Sequence, residues 1–331
     1  MTSRQLVKFV AGAAAVSLLL HGVVAVAAST AMRVMYPHRI YNVRAWSDEG
    51  NLRYRLVGSF LREHVPSDRP VLAFVGSSVT YGYPWAEPFV FSRLFANARP
   101  DAAVVNASIV AADITGINDW VICAARRNHV RVHALVLELP VVNTTAHFIR
   151  LREQGQAGHH LAACGGGEID PGYLRLAITQ PRGLGWLTFL SRTDATERIE
   201  SSIRLMPVPD DYFASAEKFA SIRNEYAQGI KRLLTNALQV ADTVYAFPSP
   251  VFTAGLAEVG RDPQVLTEQL AATDAACAEV PGVRCLDTAR LWTDRSLYIN
   301  LTHLNQAGHR ATAELMLASV DIPSRRPGED R

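Results

Sequence analysis

The chain has 331 residues, 49% of them apolar and 19% charged, with a formal net charge of +2 at pH 7. That composition excludes global disorder and suffices for one large α/β domain with an appendage. Its 33 Lys and Arg and 31 Asp and Glu are scattered, with no basic stripe to follow a phosphate backbone, so nucleic acid is not expected as a partner.

The N-terminus opens with Arg4 and Lys8 and continues into an uncharged run from Phe9 to Met32. About 20 apolar residues suffice for a helix to cross a bilayer. Residues 1–32 are therefore read as a transmembrane anchor with a cytoplasmic N-terminus. Arg33, Arg39 and Arg44 beyond the run weaken the orientation rule. A cleaved export signal is the alternative, since Ala25-Val26-Ala27 suits a signal peptidase. Both readings place the remaining chain in the periplasm or outside the cell. Residues 33–70 form a connector with a helix around 52–64.

Strands and helices then alternate. Val71 to Val75 is an apolar strand, 88–97 a helix, 102–108 a strand, 114–128 a helix and 132–140 a third, strongly apolar strand. Continuous apolar runs of this length suit a parallel sheet covered on both faces. The expected fold is a doubly wound, flavodoxin-like α/β domain of about five strands over residues 71–320. The rhythm breaks after Asn143, and residues 144–213 are read as an insertion. A helix over 214–239, a strand over 243–252, a helix over 263–279 and a strand over 283–288 follow. Asn305 is placed to cap a last helix running to Val320. Residues 321–331 read as a disordered tail.

Of the four cysteines, Cys277 and Cys285 flank the turn Pro281-Gly282 and could close a short loop in an oxidising compartment. Buried reduced thiols are the alternative. No Cys or His cluster has zinc-ligand spacing, so no metal is expected, and no cofactor.

The first strand ends in Gly76-Ser77-Ser78, where a turn into a helix could present a serine hydroxyl. A nucleophilic serine needs a base. Of the ten histidines, His303, in "YINLTHLNQAGHR" between the last strand and the last helix, is the one a loop could bring to that sheet edge.

These segments carry a resemblance. "FVGSSVTYG" resembles the first block of the SGNH, or GDSL, hydrolases, with Ser78 at the nucleophile position and Ser77 in place of the aspartate. "VVNASIVAAD", "HALVLELPVVN" and "NLTHLNQAGH" resemble the second, third and last blocks, in the family's order, from Val71 to Val320. The resemblance implies a catalytic Ser78–His303 pair. It also implies an oxyanion hole from the N–H groups of Ser78 and Ala111 with the Asn143 amide. Four departures stand out: Ser77, Ala111 where the family has glycine, Pro140 in the third block, and Asn300 in place of the aspartate that orients the histidine. Asp294 and Asp287 lie upstream and could supply the missing charge.

The expected activity is acyl transfer through a Ser78 acyl-enzyme, by an esterase or an O-acyltransferase. Exported, anchored members of the family resemble proteins that modify cell-envelope or extracellular polysaccharide. The implied partners are an acylated carbohydrate or acyl donor, the membrane, and other envelope-glycan assembly proteins. Tyr83 and Trp85 are candidates to stack on a sugar ring. A lipid or small-ester hydrolase, and a catalytically silent glycan-binding or scaffolding subunit, are the alternatives.

Overall fold

In a computed structural model of the chain, the described residues are 5, 9, 12, 15, 16, 19, 61, 69–83, 85, 87–109, 112–156, 164, 213–258 and 260–322. The segment read as an anchor lies outside them, apart from a few helical positions of which Phe9, Val16 and Leu19 are exposed. Among the described residues no helix is long and apolar enough to cross a membrane. The connector helix also lies outside them except for Leu61, which is helical and joins the core. So do the tail beyond residue 322 and most of the insertion.

Five parallel strands form one sheet: β1 (Val71–Val75), β2 (Ala103–Asn106), β3 (Val132–Leu139), β4 (Ala241–Pro248) and β5 (Val283–Cys285). Their order is β2-β1-β3-β4-β5, the doubly wound arrangement expected from the alternation of strands and helices. Every residue of β1 is buried, as a strand covered on both faces requires.

Alternate strand residues feed two separate cores. Ala73, Val75, Leu135, Leu137, Val244 and Ala246 face one way, into a cluster with the helices after β2, β3 and β4. Leu72, Phe74, Ala134, Val136, Tyr245 and Phe247 face the other way. There Phe74 meets Phe91 and Phe95 edge-on, with ring centroids 5.6 and 5.4 Å away, a favoured geometry for aromatic pairs.

After β1 come a single turn, α1 (Ser78–Tyr81), and α2 (Phe91–Ala98). The helix after β2, α3, runs over 114–127 with a π segment, Asn118–Ile122, at its centre. Helix α4 (Val141–Glu153) follows β3, and α5 (Ala216–Ala237) precedes β4. Beyond β4 lie the short α6 (Gly255–Glu258), α7 (Pro263–Ala278) and finally α8 (Gln306–Ser319). Polar caps fix these starts: Asp113, Ser215, Asp262 and Asn305 each accept from a backbone N–H of the first turn.

Helix α4 falls where the sequence reading starts an insertion. Its Val141, Val142, Thr144, Thr145 and Phe148 are buried, so the sheet domain continues at least to Glu153. Both cysteine pairs are bridged. Cys277–Cys285 is the loop the spacing suggested; Cys123–Cys164, which ties α3 to residue 164, was not anticipated.

Candidate active site

Ligands of open α/β sheets sit beyond the carboxyl ends of the strands, where neighbouring connections diverge to opposite faces. In this sheet that point lies between β1 and β3. Ser78, the first residue of α1, stands there directly after β1. Gly82 ends the turn with φ +87°, a conformation a side chain resists, and the chain reverses toward Tyr83.

His303 reaches Ser78 from the loop between β5 and α8. Its Nε2 lies 2.9 Å from Ser78 Oγ across 225 residues of sequence. The loop is tied down on all sides. A bridge pairs Tyr298 with Leu304, Ile299 donates its N–H to the His303 carbonyl at 3.0 Å, and Asn305 donates to the Leu297 carbonyl at 2.9 Å. The Trp85 indole donates to the Leu304 carbonyl at 2.8 Å.

Asn300 Oδ1 accepts from His303 N at 2.8 Å and from Thr302 N at 2.9 Å, and lies 3.1 Å from His303 Nδ1. The amide oxygen can only accept, so the ring hydrogen belongs on Nδ1. The Nε2 lone pair then faces the Ser78 hydroxyl. Burial pushes the His303 pKa down to about 4, because charging the ring in this surrounding is costly. The imidazole is therefore neutral at pH 7 and available as a base.

Asp294 and Asp287 do not supply a charge to it. Asp294 accepts from Ser296 N and Oγ, at 2.9 and 2.7 Å, and Asp287 accepts from Ala289 N at 2.8 Å. Asp294 caps the short turn that follows it, and Asp287 closes a local turn onto Ala289. His303 contacts the Asn300 amide and the Thr302 hydroxyl instead.

Tyr83 is half exposed and its ring meets the His303 ring edge-on at 5.5 Å, so it borders the reactive pair. Trp85 must be corrected. Only 4% of it is exposed and its indole holds the His303 loop, so it offers no face to a sugar. Asn143 lies in the first turn of α4, and its Nδ2 donates to the Ala112 carbonyl at 3.1 Å. Ala111 lies outside the described residues. Among those residues no group of three or more His, Cys, Asp or Glu could hold a metal ion.

Two buried polar residues escaped the sequence reading. Asn106, at the end of β2, donates to the Thr80 carbonyl at 2.7 Å and to Ser92 Oγ at 2.8 Å, and so ties α1 and α2 to the sheet. Glu138, near the end of β3, is fully buried. A lone carboxylate in the otherwise apolar strand "VHALVLELP" was the available signal.

No protein-family model matches the sequence, and no curated protein matches it. Solved structures do. The chain is similar to a member of the lipolytic protein G-D-S-L family from Veillonella parvula, at 10% identity and a TM-score of 0.41, covering 75% of this chain and 96% of that one. It is also similar to the acetylxylan esterase Axe2 from Geobacillus stearothermophilus, at 11% identity and a TM-score of 0.42, covering 79% and 100%. A lipase/acylhydrolase from Enterococcus faecalis gives 13% and 0.41, covering 77% and 100%. At such identities and TM-scores these likenesses bear no weight on activity.

Proposed function

We propose that the chain is an exported serine acyl esterase or O-acyltransferase that works through a Ser78 acyl-enzyme, with polysaccharide-borne esters as its substrates. One observation carries the reading: a neutral, partly buried His303 holds its Nε2 2.9 Å from Ser78 Oγ while Asn300 fixes the opposite edge of the ring. That is the geometry of a nucleophile, its base and an orienting group.

In the proposed reaction His303 Nε2 takes the Ser78 proton as Oγ bonds to the acyl carbon. The carbonyl electrons move onto oxygen, toward the Ser78 N–H and the Asn143 amide. Ser78 opens a helix, so its N–H has no intrahelical acceptor. Each such donor is worth about 3 kcal/mol in the transition state. The imidazolium then gives its proton to the leaving alkoxide as the C–O bond breaks. Water or an acceptor alcohol, deprotonated by His303, then attacks the acyl carbon, and the imidazolium returns that proton to Ser78 Oγ as the acyl–Oγ bond breaks.

Export is supported by the two disulfides, which persist in oxidising compartments, and by the apolar run before residue 33. The half-exposed Tyr83 beside His303 supports a ring-bearing substrate such as a sugar. Asn300 favours a second reading, a silent binding subunit, because an amide brings no charge to stabilise the imidazolium.

Intact-mass spectrometry after incubation with a fluorophosphonate separates the two. A single adduct on the wild type, absent from Ser78→Ala and suppressed in His303→Ala, is the expected result. A folded protein that takes up no adduct would sink the enzymatic reading.

A further inference from the structure

We infer that Glu138 is a positioning residue for the reaction: its buried carboxylate grips the residues on both sides of Ser78 and so holds Ser78 Oγ in line with His303 Nε2. The inference rests on the reading of Ser78 as the nucleophile. Glu138 would touch neither substrate nor the reacting atoms.

The register of the sheet explains the reach. Val75 pairs with Leu137 and Phe247 with Glu138, so Glu138 lies level with Gly76 on one side and the end of β4 on the other. Its side chain takes the parity of Ala134 and Val136. A carboxylate in such a place is costly unless fully hydrogen-bonded, and this one accepts five times. Oε2 accepts from Ser77 N at 2.9 Å, Thr80 N at 3.0 Å and Thr80 Oγ1 at 2.6 Å. Oε1 accepts from Ser77 Oγ and from Ser249 Oγ, each at 2.5 Å.

Four of these five bonds come from residues 77 and 80. They fix the Gly76–Ser77 and Val79–Thr80 peptide planes and the Ser77 and Thr80 side chains, so the turn that carries Ser78 is held at both ends. The fifth, from Ser249 at the end of β4, holds the carboxylate itself against the scaffold. Hydrogen bonds to a charged acceptor are stronger and shorter than neutral ones, so the turn is clamped rather than merely satisfied.

Gly76 gives independent support. Its φ is not positive, so no turn geometry demands glycine there. A Cβ at this position would overlap the Glu138 carboxylate and come within 2.7 Å of Thr80 Oγ1. The glycine is explained by the close approach of Glu138.

The test uses E138Q, E138A and T80V, with three readouts: the second-order rate of fluorophosphonate labelling at Ser78, thermal unfolding, and the Ser78 Oγ to His303 Nε2 distance in crystal structures. In E138Q the amide oxygen can keep the three Oε2 bonds while the NH2 donates to the hydroxyls of Ser77 and Ser249, so labelling should fall only about three- to tenfold. In E138A the turn loses its clamp. Labelling should fall on the order of a hundredfold, the scale of a misplacement of about 1 Å, and the distance should open past hydrogen-bond reach.

A folded E138A that keeps its 2.9 Å contact and labels within about twofold of wild type overturns the inference, whatever its melting temperature. If E138A fails to fold, T80V decides in the same way. It keeps side-chain shape, removes one hold on α1, and should label about tenfold more slowly. If the wild type itself takes no label, the proposed enzymatic function fails. The distance in wild-type and T80V crystals then settles the positioning role alone.

Discussion

Asn300 Oδ1 lies 3.1 Å from His303 Nδ1 and also accepts the backbone N–H groups of His303 and Thr302. One amide oxygen thus fixes both the ring and the loop that carries it. Orientation is complete, and what is absent is charge. In a protease the aspartate-to-asparagine swap costs roughly ten-thousandfold because it leaves the histidine in the wrong tautomer; here Asn300 keeps the right one, so only the smaller charge effect is at stake. Aspartate at position 300 could make the same three acceptances and also stabilise the imidazolium. Asn300→Asp should therefore raise kcat/KM on a p-nitrophenyl ester, by about 10- to 100-fold. Asn300→Ala should lower it. A rate that Asn300→Asp leaves unchanged would mean that the site already balances its charge another way.

The depressed pKa of His303 sets the pH dependence. The base works only when neutral, so kcat/KM should hold on acidification until the pH approaches about 4 and fall below it. Stability follows the same group with a different window. The unfolded chain binds the proton near pH 6.5 and the folded one only near 4. Between those values the unfolded state carries more protons, so stability falls as the pH drops through that range. The acid loss should be smaller in His303→Gln when melting temperatures are followed from pH 7 to pH 4.

Tyr83 and Trp85 should separate kinetically. Tyr83 is exposed beside the ring, where aromatic stacking is worth about 0.5–1.5 kcal/mol. Tyr83→Ala should raise KM for an acetylated oligosaccharide about two- to tenfold and affect a small aryl acetate less. Trp85→Phe keeps the ring but loses the bond to the Leu304 carbonyl, worth about 1 kcal/mol. It should lower the melting temperature and reduce kcat on both substrates alike. If Tyr83→Ala lost equal activity on both, the tyrosine would be supporting His303 rather than binding substrate.

The sheet was legible because burial on both faces leaves unbroken apolar runs, and β1, β3 and β4 sit close to where those runs are. Ser78 and His303 were legible because each follows a strand end and precedes a helix start, and Asn305 marks the latter. Trp85 was misread because exposure is a property of the packed loop: nothing nearby in sequence announces that Leu304 covers its indole. Glu138 was missed for the opposite reason. Its partners lie 58 to 61 residues before it and 111 after it, so its meaning exists only once β1, β3 and β4 are aligned. The start of α4 was hidden by Pro140, which follows β3 and leads straight into a helix.

The two disulfides differ in the loops they close, and that difference is measurable. Cys123–Cys164 spans 41 residues and Cys277–Cys285 spans 8. If each acts by restricting the unfolded chain, the longer bridge contributes about 4 kcal/mol and the shorter about 2.5 kcal/mol. Cys164→Ser with Cys123→Ala should thus lower the denaturant midpoint more than the matching pair of changes at 277 and 285. Protein recovered from an exporting host should resist alkylation at all four cysteines until it is reduced. Reduction should lower the unfolding free energy of the wild type and leave unchanged a variant in which both pairs of changes are combined. Four freely alkylated thiols in the native protein would remove the structural support for an oxidising compartment. The anchor-or-signal reading of the first 32 residues would then stand on the apolar run alone.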